Sequence, residues 1–261
     1  MSLLLKDKVA VVTGSTRGIG FAIAKEFAEN NGATTIVCSR IKEQAERAIK
    51  QISSGKVFAA EIDVTSDSSV KKFMQQMLSK FEGIDILVNN AGYPFDNNIW
   101  YKRFHEGTDE ELQKIMGVDI QGSVRLSRAV ISSMIQKNIN KKNGGGGVII
   151  NMSSTPAIVG HTEGAPYTIA KAANIALTKC IAKEYGINGI RSYTMALGNI
   201  ATMATYDSMT EVARKKAAEE PPMKRWGTPE EVAKIAASIA SDSFSFATGN
   251  TIVIDGGTVL W

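Results

Sequence analysis

The 261-residue chain has little of what builds metal centres, secreted scaffolds or membrane spans. Two cysteines, Cys38 and Cys180, lie far apart in apolar surroundings, which excludes a disulfide framework; both read as buried reduced thiols. With His105 and His161 as the only histidines, a multi-histidine metal site is not expected. No apolar run approaches the ~18 residues a membrane helix needs. The stretch Met1–Leu5, followed by Lys6-Asp7-Lys8, is too short for a signal peptide. Charge of one sign is also scarce: 30 Lys+Arg against 26 Asp+Glu give a net +4 with no basic run, so no nucleic-acid partner is expected. These absences predict a soluble cytoplasmic protein.

What is present is apolar residues, 44% of the chain against 21% charged, enough for a sizeable core. Short β-branched runs alternate with helical stretches. Strands are predicted at Val9–Thr13, Thr34–Ser39, Val57–Ile62, Ile84–Val88, Val148–Met152, Ile190–Ala196 and Thr251–Ile254. The helices between them are predicted at Ile19–Glu29, Glu43–Ile52, Ser68–Phe81, Glu110–Gln136, Tyr167–Tyr185 and Pro229–Ala240. The strand runs lack polar alternation, which marks strands buried on both faces of a parallel sheet. The expectation is one α/β domain over residues 1–261: a Rossmann fold with a seven-stranded parallel sheet and three helices on each face. The glycine-rich Asn143–Gly147 reads as a flexible surface turn between a helix and a strand.

The first strand runs into Gly14-Ser15-Thr16-Arg17-Gly18-Ile19-Gly20, which opens a helix. Glycines there let the backbone approach a pyrophosphate, whose charge is favoured at a helix N-terminus. At the end of the second strand, Ser39-Arg40 occupies the position where an acidic residue would bind the ribose 2′-hydroxyl of NAD(H). Arg40 and Arg17 can instead grip a 2′-phosphate, so NADP(H) is expected rather than NAD(H). In Tyr167-Thr168-Ile169-Ala170-Lys171, a phenol and an ammonium stand at i and i+4 on one helix face. A nearby cation favours a phenolate, which suits a tyrosine to proton exchange with a carbonyl or alcohol oxygen. Ser154, 13 residues earlier at a strand end, could reach the same oxygen.

Taken in order, Thr13-Gly14-(x)3-Gly18-x-Gly20, Asp63-Val64, Asn89-Asn90-Ala91-Gly92, Ser154, Tyr167-(x)3-Lys171 and Asp255-Gly256-Gly257 resemble the short-chain dehydrogenase/reductase family end to end. Arg225-Trp226-Gly227-Thr228-Pro229-Glu230-Glu231-Val232 is similar to its 3-oxoacyl-carrier-protein reductase branch. The resemblance implies an NADP-linked oxidoreductase that interconverts a carbonyl and a secondary alcohol, usually as a homotetramer or homodimer. It implies Tyr167 as acid/base, Ser154 polarising the carbonyl, and Lys171 holding the nicotinamide ribose. Asp63 and Val64 would flank the adenine, Asn90, Ala91 and Gly92 would line the cofactor groove, and Gly198, Ile200 and Thr202 would meet the nicotinamide end.

The chain departs from the family pattern at Asp119, where an asparagine usually supports a proton-relaying water, largely through its backbone carbonyl. Tyr193 stands where asparagine is usual, and Leu197-Gly198 where Pro-Gly is usual. The segment after Gly92 is longer than usual and holds Tyr93, Phe95, Trp100, Tyr101, Phe104 and His105, which fit either a neighbouring subunit or the substrate. Positions that are basic in carrier-protein reductases hold Ser132 and Asn188. An acyl-carrier-protein thioester and a small ketone, sugar or other hydroxy metabolite therefore both stand as substrates.

Overall fold

The computed structural model describes residues 3–139 and 146–260. Seven strands, β1 (Val9–Val12), β2 (Thr34–Ser39), β3 (Lys56–Glu61), β4 (Ile86–Asn89), β5 (Val148–Ser154), β6 (Arg191–Leu197) and β7 (Thr251–Ile254), form one sheet. Its order is β3-β2-β1-β4-β5-β6-β7, and every pairing is parallel. The connecting helices are α1 (Gly18–Lys25), α2 (Lys42–Ile49), α3 (Asp67–Lys80), α4 (Asn97–Trp100), α5 (Asp109–Met116), α6 (Ser123–Ile139), α7 (Pro156–Val159), α8 (Ala165–Tyr185), α9 (Glu211–Glu219) and α10 (Pro229–Ala240).

Successive strand residues point to opposite faces, and here both faces are apolar. Val12, Val37, Val88, Ile150 and Met195 pack with Ile23 of α1, Ala45 of α2 and Val232 and Ala236 of α10. Their neighbours Val11, Ile36, Leu87 and Ile149 pack with Phe73 of α3, Leu126 and Val130 of α6 and Ile181 of α8. The expected seven parallel strands with three helices on each face are observed. A fully buried ring such as Phe27 or Phe73 contributes about 1.5–3 kcal/mol by leaving water. Helix starts follow local chemistry: Thr108 and Thr228 cap α5 and α10 in reciprocal hydrogen bonds with Glu111 and Glu231.

Three local expectations change. The helix expected over Glu110–Gln136 is α5 and α6 joined by a π-helical turn, Gly117–Gly122, which moves Asp119 inward. Cys38 is buried as expected, but Cys180 is exposed, because the buried stripe of α8 runs through Lys171, Asn174, Ile175, Thr178, Ile181 and Ala182. Of the Asn143–Gly147 turn, residues 143–145 lie outside the described residues; Gly147 is packed so closely that a Cβ would stand 2.1 Å from Met134 Sδ. Tyr193 is fully buried, and its hydroxyl donates to the carbonyls of Ala247 and, at 3.0 Å, Phe244. This departure from the family pattern ties β6 to the turn before β7. Among the described residues no helix is long and apolar enough to cross a membrane.

Candidate active site

The chain leaves β1 toward β2 and β4 toward β5, although β1 and β4 are neighbours. Such a switch point opens a crevice at the strands' C-terminal ends. The glycine turn sits there. Gly14 and Gly18 have φ of +60° and +57°, a region L side chains avoid. A Cβ on Gly20 would stand 2.3 Å from Asn90 Nδ2 and 2.6 Å from the Gly14 carbonyl. Asn90 locks the turn by donating to the carbonyls of Thr13 and Gly14 at 2.9 and 3.0 Å. Thr13 Oγ1 accepts the Asn90 and Ala91 amides, each at 3.0 Å. Ser15 is buried, its hydroxyl donating to the Val12 carbonyl at 2.6 Å and accepting the Cys38 amide at 2.9 Å, so it joins β1 to β2. Thr16 lies half-buried and Ile19 packs on the core beneath.

Helix α1 starts at Arg17 with no side chain capping its first amides. Bare backbone, uncapped amides and an exposed Arg17 together fit a pyrophosphate. Arg40 is also exposed, while Ser39 Oγ is hydrogen-bonded to Gln44 and accepts the Ile41 amide. Burial alone would raise the Asp63 carboxyl, but the Thr65 hydroxyl and amide, with the charges of Arg40 and Arg125, hold it below the ordinary carboxylate value. Val64 is buried against Gly122, and its carbonyl accepts Arg125 Nη1 at 2.7 Å. Beyond β6, Gly198 leaves no room beside Asp255, Ile200 is buried, and Thr202 comes within 3.8 Å of where a Gly18 Cβ would be. The residues named from sequence for the cofactor groove thus lie at or beyond the C-terminal ends of β1, β2, β3, β4 and β6 in the parallel sheet.

Tyr167 and Lys171 share a face of α8, with Lys171 Nζ 5.4 Å from the Tyr167 ring centre. Ser154 closes β5; its hydroxyl donates to the Leu197 carbonyl at 3.2 Å, while Ser153 donates to the Lys171 carbonyl at 2.8 Å and fastens α8 to the strand. Asp119 departs furthest from the family pattern. Its carboxylate, 1% exposed, lies 2.7 Å from Lys171 Nζ, and its second oxygen accepts the Tyr93 amide at 2.6 Å. The Asp119 carbonyl accepts Asn174 Nδ2 at 2.9 Å and Ser123 Oγ at 3.1 Å. Two donors of the chain itself thus already meet the carbonyl oxygen to which the resemblance assigns a water. Burial works against the Lys171 charge, and the Asp119 carboxylate together with Tyr167 outweighs it, holding the ammonium above its ordinary pKa.

Sequence reasoning left the aromatic segment between two uses. The structure places Trp100 of α4 with its ring 5.2 Å from Tyr167, 5.8 Å from His161 and 5.4 Å from Phe95. His161 had been weighed only as a metal ligand, and nothing in the sequence signalled that it would meet Trp100.

A twisted parallel sheet with a glycine turn at its switch point defines a dinucleotide-binding protein of the Rossmann class. The family model described as enoyl-(acyl carrier protein) reductase matches residues 14–259, and the chain belongs to the short-chain dehydrogenase/reductase family. It is 34% identical to a 3alpha-hydroxysteroid dehydrogenase of Mediterraneibacter gnavus over 98% of both chains. It is 31% identical to glucose 1-dehydrogenase 2 of Bacillus subtilis over 98% of this chain and 96% of that one. A 3-oxoacyl-(acyl-carrier-protein) reductase of Thermotoga maritima is 34% identical over 98% and 99%. A crystal structure from Agrobacterium tumefaciens, provisionally assigned as a gluconate dehydrogenase, superposes over the whole of both chains with a TM-score of 0.90 at 25% identity.

Proposed function

We propose that this oxidoreductase interconverts a ketone and a secondary alcohol with NADP(H), Tyr167 exchanging the proton. The observation that supports this best is the Tyr167–Lys171 pair on α8, which Ser153 fastens to the C-terminal end of β5 through the Lys171 carbonyl. The cofactor supplies or accepts the hydride at the carbonyl carbon. Gly14, Gly18 and Gly20 with the first amides of α1 hold its pyrophosphate, and Arg17 and Arg40 grip the 2′-phosphate. Asp63 and Val64 bound the adenine pocket, while Ala91, Gly92, Ile200 and Thr202 line the nicotinamide side.

Tyr167 gives its proton to the carbonyl oxygen as charge develops there, and takes it back in the reverse direction. Ser154 Oγ turns from the Leu197 carbonyl to the same oxygen. Lys171 has three donors; one faces Asp119 and the others are free for the ribose hydroxyls. Asp119 acts on Lys171 by direct ion pairing, keeping the ammonium charged and fixed under the cofactor.

Substrate class follows the relatives only to the level of an alcohol or ketone, since they are named for a steroid, a sugar and an acyl thioester. The test is NADPH and NADH consumption across a panel of ketones, with Tyr167→Phe alongside. General acid–base catalysis is worth about 10²–10⁴-fold, so the variant should lose that much in kcat while still binding NADPH. Undiminished turnover by Tyr167→Phe, or bound NADPH with no oxidation by any ketone, would overturn the reading.

A further inference from the structure

Trp100 is placed with more care than a loop tryptophan needs. Beneath it Ile99 is buried in a cluster with Ile115, Ile120 and Ala170. Behind it the Gly164 amide donates to the Trp100 carbonyl at 2.8 Å. Gly164 has a φ of +65°, and a Cβ there would stand 2.8 Å from indole Cε3, so only glycine lets the ring sit where it does. On its flank the His161 ring is held by the Glu163 amide at 3.2 Å. The indole is nonetheless only half-buried and stands 5.2 Å from the ring of Tyr167. Two of the nearby ammonium groups are paired, Lys102 with Glu111 and Lys171 with Asp119.

We propose that Trp100 determines specificity, laying its indole face along the C–H face of an uncharged ring-bearing substrate, a cyclic secondary alcohol or its ketone. This rests on Tyr167 as the proton-exchanging residue. A wide π surface beside the Tyr167 ring suits a ring, which brings its whole face into contact at little entropic cost. A linear thioester presents a narrow chain to the same surface and must order several rotors. Fused hydrocarbon rings and pyranoses share this C–H face, and substrates of both kinds separate them.

The test measures kcat/KM for NADPH reduction of trans-1-decalone and the linear S-acetoacetyl-N-acetylcysteamine, and for NADP+ oxidation of glucopyranose, in wild type, Trp100→Ala and Trp100→Phe. Trp100→Ala should lower kcat/KM for a ring substrate at least tenfold more than for the linear one, chiefly through KM, and Trp100→Phe should restore part of it. A response to decalone alone identifies a hydrocarbon ring, and one to glucopyranose alone a sugar; either supports the proposal. Equal losses on all three, or a wild type that prefers the linear thioester, would sink it. An NADPH fluorescence titration checks that each variant is folded; if Trp100→Ala fails, Gly164→Ala displaces the indole without removing it. Failure of the underlying reading looks different: Tyr167→Phe keeps full turnover, or wild type turns over none of the three.

Discussion

One turn of α8 separates two environments. Lys171 is 7% exposed, its ammonium 2.7 Å from the Asp119 carboxylate, and Asp119 in turn holds the Tyr93 amide and, through its carbonyl, Asn174 and Ser123. Tyr167 is half-buried, and the neighbours on its outer side are rings, Trp100 and beyond it His161 and Phe95. On the lysine side the ammonium, the carboxylate and the Tyr93 amide answer one another at fixed geometry, so a substitution leaves an uncompensated charge or amide. On the tyrosine side contact is apolar and directionless, and a ring can be exchanged for another shape without breaking the fold. Relatives of near-equal identity carry the names of steroid, sugar and thioester enzymes.

The sharpest way to break this comparison is Asp119→Ala. It strands a buried ammonium and should cost about 3–5 kcal/mol of stability, read from the urea midpoint. Because Lys171 is held above its ordinary value, the pair's contribution is complete at neutral pH and is lost only as pH climbs past the ordinary lysine range. A loss under about 1 kcal/mol would mean the lysine side is as tolerant as the tyrosine side.

Gly164→Ala probes the other environment. Its left-handed backbone should cost about 1–2 kcal/mol, and the indole must move. Kinetics should show kcat/KM for ketones falling while the Kd for NADPH holds; equal changes in both would erase the division. Replacing Arg40 by Ser tests the cofactor end. A charged hydrogen bond is worth about 1.5–3 kcal/mol, so the NADPH-over-NADH preference should fall roughly 10–100-fold.

The smallest effect belongs to the Arg225–Glu231 pair, whose exposed partners meet at 2.7 Å. The Arg225 hydrogen bond and the Thr228 amide hold Glu231 at about 2, below its ordinary 4.5. Its lowered carboxyl stabilises the fold fully above about pH 4.5 and loses that contribution as pH falls toward 2. Solvent screening keeps the effect under ~1 kcal/mol, and Glu231→Gln should flatten that acid limb of a pH–stability curve.

The strand runs were legible because both faces of the sheet are covered, so Thr34–Ser39 and Thr251–Ile254 read to the residue. The glycine turn was legible because positive φ at Gly14 and Gly18 and close packing at Gly20 demand glycine at fixed spacing, and Tyr167 with Lys171 because four residues bring them round one helix face. Cys180 was misread because composition around a residue does not say which way a helix turns it. The π turn at Gly117–Gly122 escaped the reading because one extra residue per turn leaves no mark in an apolar pattern.

Sequence by itself determined the sheet, the glycine turn and the family, since each rests on local spacing along one strand or helix. Tertiary structure alone decided that Asp119 grips Lys171 across 52 residues and that Trp100 leans on Tyr167. Both contacts join elements distant in the chain, and only the packing of α4, the π turn and α8 against one another sets which side chains meet.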